Sequence, residues 1–491
     1  MSAEVSPAPA LNLRTDLYIG GAFVPSASGK RFATSNPATG ETLAEVAEAG
    51  KEDLDRAVDA ARKAVESGPW AAMKPRQRGK ILLRAADLLL SKAEEFGRVE
   101  TLDNGKPLFE SAKIDMPAAA ECLAYFGESA DKLFGDTFPA RPDAFLMTVR
   151  EPVGVVGAIT PWNFPLLQAM WKIAPALALG NAVVLKPASV TPLTALLFAE
   201  LLMEAGLPPG AYNVLPGPGA VVGAAMAEHP GIDKISFTGE TETGKSILRA
   251  AAGSVKRVSM ELGGKSPNVV FADADLDAAA KGAINAIFYG KGELCSAGSR
   301  LLVEESIHDA LMEKVVDRAK KMTPGDPLNP KTRLGSLVSE KQRENVERYV
   351  ESGKREGAKL VAGGNRASID GKGAFFEATV FDGVTPEMTI AREEIFGPVL
   401  ATLTFKDESE AVTIGNSTIY GLAAAVWTRD IKKALRAAKA LKAGTVWINA
   451  YNLYDPGLPF GGYKESGFGR ERGRYALEEY TQVKSIWVDL T

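Results

Sequence analysis

The chain has 491 residues, 46% of them hydrophobic and 24% charged, with a formal net charge of −4. This leaves room for two or three domains around large cores, and it offers no basic stripe for nucleic acid. Two cysteines and two histidines cannot build a disulfide framework, argue against a metal site, and suit a reducing compartment, read here as the cytoplasm.

The first residues, "MSAEVSPAPALNLRTD", are small, polar and rich in Pro and Ala. They lack the basic and apolar regions of a secretory signal and read as a frayed tail. Residues 130–151 look like hairpin or edge-strand material, as does the end, "EYTQVKSIWVDLT". The edge must be covered, and "VKSIWVD" alternates like a half-buried strand. The charge-free run Val153 to Trp171 is interrupted by Pro161, Asn163 and Pro165 and followed at once by Lys172. A strand, a loop and a buried helix explain it better than a membrane span.

From here the pattern alternates. "VGVVGAI", "NAVVLK", "AYNVLP", "KISFTG" and "RVSMEL" read as strands with helices between them. Gly180 and Gly206 stop two of these helices, and Thr191 caps the second ahead of Pro192. Such a series predicts a parallel sheet, with ligands bound beyond the carboxyl ends of its strands. "AAAKGAINAIFYG", "RLLVEE", "HDALMEKVVDRAKKM", "VLATLTF", "AAAVWT" and "GTVWINA" repeat the alternation and predict a second α/β domain.

Several motifs carry chemistry. "GPGAVVG" (Gly217, Gly219, Gly223) and "GFGRERG" (Gly467, Gly469, Gly473) each have one residue too many for the dinucleotide fingerprint. "FTGETETG" is a strand-to-helix turn that can hold a pyrophosphate on a helix N-terminus. Turn chemistry explains all three equally well. Glu261 ends a strand before a double glycine, and Asn163 sits between prolines after another strand. Each is open to a bland reading, as a paired surface carboxylate and a turn amide. Cys295 lies in "GELCSAGSR", a glycine-rich loop where a thiol can be reached and can react.

In the order "PWNFP", "LKPASVTP", "FTGETETG", "ELGGKSPN", "GELCSAGSR", "EEIFGPV" and "PFGGYKESGFGRE", these pieces resemble the aldehyde dehydrogenase superfamily, from about residue 17 to the C-terminus. The resemblance implies an α/β protein of three parts. A Rossmann-like cofactor domain takes 1–129 and 152–262, a second α/β catalytic domain 263–465, and a small β arm for oligomerisation 130–151 and 466–491. It also implies roles. Cys295 is the nucleophile, Glu261 the general base, and Asn163 with the Cys295 N–H the oxyanion hole. Lys172 and Glu471 pass protons to and from the base. Lys186 and Glu394 hold the two riboses, and Phe396 packs near the nicotinamide ribose. Ile159, Pro161, Trp162, Ser189, Gly219, Gly223, Phe237, Gly239, Glu240, Gly244 and Leu262 complete the cofactor site. Trp171, Tyr454 and Phe460 line the substrate tunnel, which Trp162 also joins, and Cys122 is a packing residue.

Three positions depart from the family's common forms. Glu293 stands where glutamine is frequent, and is expected to point away from the thiol. Glu240 stands where a serine often meets the pyrophosphate. Ser189 replaces a glutamate that would repel a 2′-phosphate, so NADP is expected to be accepted beside NAD. The expected reaction is oxidation of an uncharged aliphatic or aromatic aldehyde to its acid, in a dimer or tetramer, without membrane or nucleic acid. The alternatives are a dehydrogenase for an amino-aldehyde or semialdehyde, a cysteine hydrolase acting on esters, and an inactive structural relative.

Overall fold

A computed structural model describes residues 13–491. The expected frayed tail lies outside the described residues up to position 12. Its remainder is tied down instead: Arg14 pairs with Glu200, and Arg31 holds Thr15 and Asp16.

Five strands form the parallel core of the first sheet: Val155–Ile159, Ala182–Lys186, Tyr212–Val214, Lys234–Thr238 and Arg257–Glu261. The first four are buried along their whole length, as expected for a sheet covered by helices on both faces. They lie side by side in the chain order 3-2-1-4-5. The order reverses next to Val155–Ile159, and a crevice opens there beyond the carboxyl ends. Leu17–Ile19 and Ala22–Val24 extend one edge antiparallel, and Gly467–Phe468 closes the other against Arg257–Glu261.

The charge-free run resolves into the strand Val155–Ile159, a loop, and the helix Pro165–Ala178, which is buried almost all round. Among the described residues no helix is long and apolar enough to cross a membrane. Gly180 follows that helix in the left-handed conformation, and Gly206 does the same for Leu193–Ala205. Thr191 does not cap the latter helix. Its hydroxyl has no partner, and Asp103 Oδ2 accepts the Leu193 N–H at 3.1 Å. The cap arrives from the distant helix Ala93–Asn104, so local spacing could not reveal it.

The second sheet runs in space as Lys359–Ala362, Thr379–Asp382, Val399–Phe405, Arg300–Glu304, Pro267–Val270, Ala423–Trp427 and Thr445–Ile448. All its pairs are parallel except the first. The helix Glu340–Arg355 was not among the sequence expectations, although Ser339 caps it by accepting the Gln342 N–H and its last turn carries Lys354 and Arg355; it buries Val346, Val350 and Gly353.

A third sheet of three strands pairs Thr481–Asp489 antiparallel with Ala144–Pro152 along nine residue pairs, with Thr137–Phe138 on the far side. The expected half-buried alternation of "VKSIWVD" is not what this single chain displays. The strand is exposed at nearly every position, Trp487 to 62% and Val483 to 57%.

Candidate active site at the meeting of two clefts

The loops after the first sheet's strands face the loops that precede the second sheet's strands. Arg300–Glu304 and Val399–Phe405 are parallel neighbours, with Arg300 opposite Ala401. Their lead-in loops are therefore adjacent too, and one carries Cys295 while the other carries Glu394 and Phe396. The strand Pro267–Val270 is the next neighbour and starts just after the double glycine. A side-chain carbon on Gly263 would collide with the Glu394 carboxylate, and one on Gly264 with the Cys295 carbonyl. Close backbone approach is the reason for both glycines.

The helix Leu276–Phe288 begins on Asp275, whose carboxylate accepts the Asp277 and Ala278 N–H groups at 3.1 Å. It ends on Gly290, Lys291 and Gly292, all left-handed, which turn the chain back toward Cys295. Lys291, the non-glycine among them, is held by a buried pair with Glu293 (2.7 Å) and by the Asn104 carbonyl (2.8 Å). The other Glu293 oxygen accepts the Val338 N–H at 3.0 Å. The Glu293 carboxylate is thus occupied away from the sulfur, as expected.

Asn163 Nδ2 donates to the Glu293 carbonyl at 2.9 Å, which fastens the loop after Val155–Ile159 to the cysteine loop. Glu261 ends its strand almost wholly buried, and neither carboxylate oxygen has a hydrogen-bond partner. Burial, reinforced by the negative charge of Glu471, pushes this carboxyl well above its ordinary range, while Lys172 and Arg470 oppose the shift. Lys172 is fully buried, forms an ion pair with Glu471, and donates to Thr238 Oγ1 at 2.6 Å. Burial, with Glu261 and Glu394 nearby, also pushes the Cys295 thiol up, against the pull of the Ser296 and Cys295 N–H groups. Cys122 lies buried in the helix Met116–Ser129, and both histidines sit by surface aspartates away from this site.

Cys295 borders two cavities. The larger, about 1880 Å³, opens at the reversal point of the first sheet. Pro161, Trp162, Asn163, Gly239, Glu240, Leu262, Glu394 and Phe396 line it. Lys341, Gln342 and Arg348 do so as well, from the helix Glu340–Arg355, together with its cap Ser339. Trp162 belongs to this cavity and not to the tunnel, since its ring meets Phe396 edge-on at 5.1 Å. Phe396 holds a positive φ of 56°, and its carbonyl accepts from Gln342.

The remaining expected cofactor residues support the walls. Lys186 and Ile159 lie under Gly223, and Gly219 faces open space. Phe237 packs beneath Gly239, and Leu262 against Gly244. Gly219–Gly223 forms a short, widened helical turn. Lys186 donates to the Pro187 carbonyl, and burial lowers its pKa to about 8. Glu394 accepts the Gly264 N–H at 3.0 Å and is pushed by burial up to about 7. Glu240 is exposed. The Ser189 hydroxyl donates to the Gly217 carbonyl at 2.7 Å, so its proton is already committed. Residues of this kind fit a dinucleotide. Open space faces glycine backbone, and two buried ionisable groups flank a parallel-sheet crevice.

The smaller cavity, about 970 Å³, is a mostly apolar tunnel. Trp171, Tyr454 and Phe460 line it as expected, with the Trp171 and Phe460 rings tilted together at 5.2 Å and Tyr454 edge-on to Phe460 at 5.9 Å. Arg472 was not foreseen. It follows Glu471 in sequence and turns to the opposite side, with its guanidinium 5.2 Å from the Trp171 ring and 5.3 Å from that of Tyr454. Its pattern in "GFGRERG" is indistinguishable from turn chemistry, and only the packing of the C-terminal segment shows where it points.

Relatives extend this picture. A family profile described as "Aldehyde dehydrogenase family" matches residues 23–486. A betaine aldehyde dehydrogenase of Bacillus subtilis is 48% identical over 96% of this chain and 96% of its own. Retinaldehyde dehydrogenase 3 of Homo sapiens is 48% identical over 99% of this chain and 95% of its own. Among solved structures, the NAD+ complex of an aldehyde dehydrogenase from Bacillus cereus superposes with a TM-score of 0.96 at 48% identity, covering 98% of each chain. With the two clefts meeting at one cysteine, these matches show that the chain belongs to the aldehyde dehydrogenase family.

Proposed function

We propose that this protein oxidises an aldehyde to its carboxylic acid through a covalent intermediate on Cys295, with NAD or NADP as cofactor. The observation that carries the reading is the position of Cys295. It borders both a polar cleft suited to a dinucleotide and an apolar tunnel suited to an aldehyde. The Cys295 thiol gives its proton to water in the adjoining cleft, and the thiolate adds to the aldehyde carbon, making a tetrahedral alkoxide. Asn163 Nδ2 and the Cys295 N–H donate to that oxygen, and losing one such donor costs about 3 kcal/mol of barrier. When bound, the nicotinamide supplies the acceptor for the hydride that leaves this carbon. Glu261 then takes a proton from water, which hydrolyses the thioester on Cys295. The free oxygens of Glu261 suit that task, and Lys172 with Glu471 offers the route by which its proton moves on.

In the cleft, Lys186 and Glu394 would hold the riboses, and Pro161, Trp162 and Phe396 would enclose the nicotinamide end. The cofactor part is proposed as 1–129 with 152–262, and the catalytic part as 263–465. The arm is proposed as 130–151 with 466–491, of which Gly467–Phe468 also closes the first sheet. The exposed apolar side chains of Thr481–Asp489 support burial in a homo-oligomer, and the cysteine content supports a cytoplasmic setting.

The test is a panel of aldehydes assayed by absorbance of the reduced nucleotide, with NAD and NADP run in parallel. Reduced nucleotide from at least one aldehyde is expected. Hydrolysis of an activated ester without nucleotide, and no reduction with any aldehyde, would place the protein among cysteine hydrolases instead.

A further inference from the structure

Two charged side chains line the tunnel besides the thiol, and they are in opposite states. Asp115 is satisfied: Lys106 lies 2.5 Å from one oxygen, and the Tyr289 hydroxyl donates to the other at 3.1 Å. Arg472 is not. It is only 7% exposed, its Nε has no hydrogen-bond partner, and it takes part in no ion pair among the described residues. The adjacent Glu471 is committed to Lys172. Asp455 and Glu121 act on the guanidinium only from farther off. A buried guanidinium without a carboxylate is costly until a partner arrives. The residue is also held at a positive φ of 64°, a conformation that disfavours any side chain. The Trp171 and Tyr454 rings flank the guanidinium at 5.2 and 5.3 Å, contacts that hold its charge at the tunnel wall without using its N–H donors.

Resting on the dehydrogenase reading above, we propose that Arg472 is a specificity residue that binds a carboxylate on the substrate. The favoured aldehydes then carry an anionic group remote from the carbonyl, joined by an aromatic ring or a methylene chain. The spacer packs on Trp171, Phe460 and Leu294 while the aldehyde reaches Cys295. The aromatic walls alone suggested an uncharged substrate. Arg472 adds the charge requirement that those walls concealed, and it disfavours a cationic amino-aldehyde.

Matched pairs test this: benzaldehyde against para-carboxybenzaldehyde, and heptanal against the semialdehyde of the corresponding dicarboxylic acid. The expected kcat/KM preference for the carboxylated member is about tenfold or more, as for a charge-assisted hydrogen bond, and is expressed mainly in KM. In Arg472→Leu the preference ratio should collapse to about one, and Arg472→Lys should restore part of it, because charge returns without the planar fork. A wild-type ratio of one or below overturns the proposal, as does a ratio that persists in Arg472→Leu. Should the leucine variant not fold, the wild-type ratio and the lysine variant decide. If no aldehyde reduces nucleotide, the dehydrogenase reading fails on its own. Calorimetric binding of each benzaldehyde to the Cys295→Ala protein still judges Arg472: tighter binding of the carboxylated compound supports the proposal, and equal binding overturns it.

Discussion

The two openings that meet at Cys295 are built by opposite means. The large cleft is bounded mainly by loops at the ends of paired strands, with glycines that permit close approach and the half-buried Glu394, and the helix Glu340–Arg355 supplies one wall. Strand register sets its shape, since neighbouring parallel strands force their end loops together. The tunnel is bounded by side chains from unrelated segments: the helix Pro165–Ala178, the turn at Tyr289, and the C-terminal stretch with Tyr454, Phe460 and Arg472. A cleft whose shape follows strand register tolerates replacement of many side chains. A tunnel made of side chains changes ligand with single replacements.

The largest effect should come from the residue that both openings share. Cys295→Ala should lower kcat by more than about a hundredfold while cofactor binding, followed by fluorescence, stays close to normal. Retention of more than about a hundredth of the activity would show that the two clefts do not converge on this thiol. Glu261→Gln should separate the half-reactions. Rapid mixing should show a burst of about one equivalent of reduced nucleotide per site, then a slow steady state. Uniform slowing without a burst would place Glu261 in thiolate formation instead.

A cleft-side change should touch only the cleft. Ser189→Glu should reduce kcat/KM with NADP by about tenfold or more through repulsion of the 2′-phosphate, with NAD little altered. The Ser189 hydroxyl is committed to Gly217, so the proposed use of NADP would rest on the missing carboxylate and the charge of Lys186, not on a new donor. A parent enzyme without NADP activity on its best aldehyde refutes this.

Smaller effects follow from pH and from the arm. Cys295 and Glu261 are both pushed up by burial and neighbouring carboxylates. Each must lose a proton to act, so turnover should rise as pH climbs above the ordinary carboxyl range and should still be rising at the ordinary thiol range. A flat profile over that span would mean that cofactor binding lowers both groups. Deleting the residues after Gln482 removes most of the strand Thr481–Asp489 and should give monomers or aggregates by light scattering. A truncated protein that keeps the parent assembly removes the arm from oligomerisation.

Much of this architecture was legible in the sequence. The buried strands of the first sheet are continuous valine- and isoleucine-rich runs, because both their faces are covered, and no other element competes for that pattern. Glycines and prolines marked the loops at strand ends, so Asn163, Glu261 and Cys295 could be placed before any packing was known. What a distant segment contributes left no local trace. Asp103 replaced Thr191 as a helix cap, the helix Glu340–Arg355 supplied part of the cleft wall, and Trp162 turned from the tunnel to the cleft.

The sequence alone determined the alternating fold, the glycine- and proline-marked loops at the ends of its strands, and the one cysteine set in such a loop, because these depend on periodicity and on residues a few positions apart. Tertiary structure decided that Glu471 and Arg472, neighbours in the chain, face different sites: one joins the buried Lys172, and the other stands unpaired among the tunnel's aromatic rings. The direction of a side chain at a strained turn depends on what packs around it, and that packing comes from helices and loops hundreds of residues away.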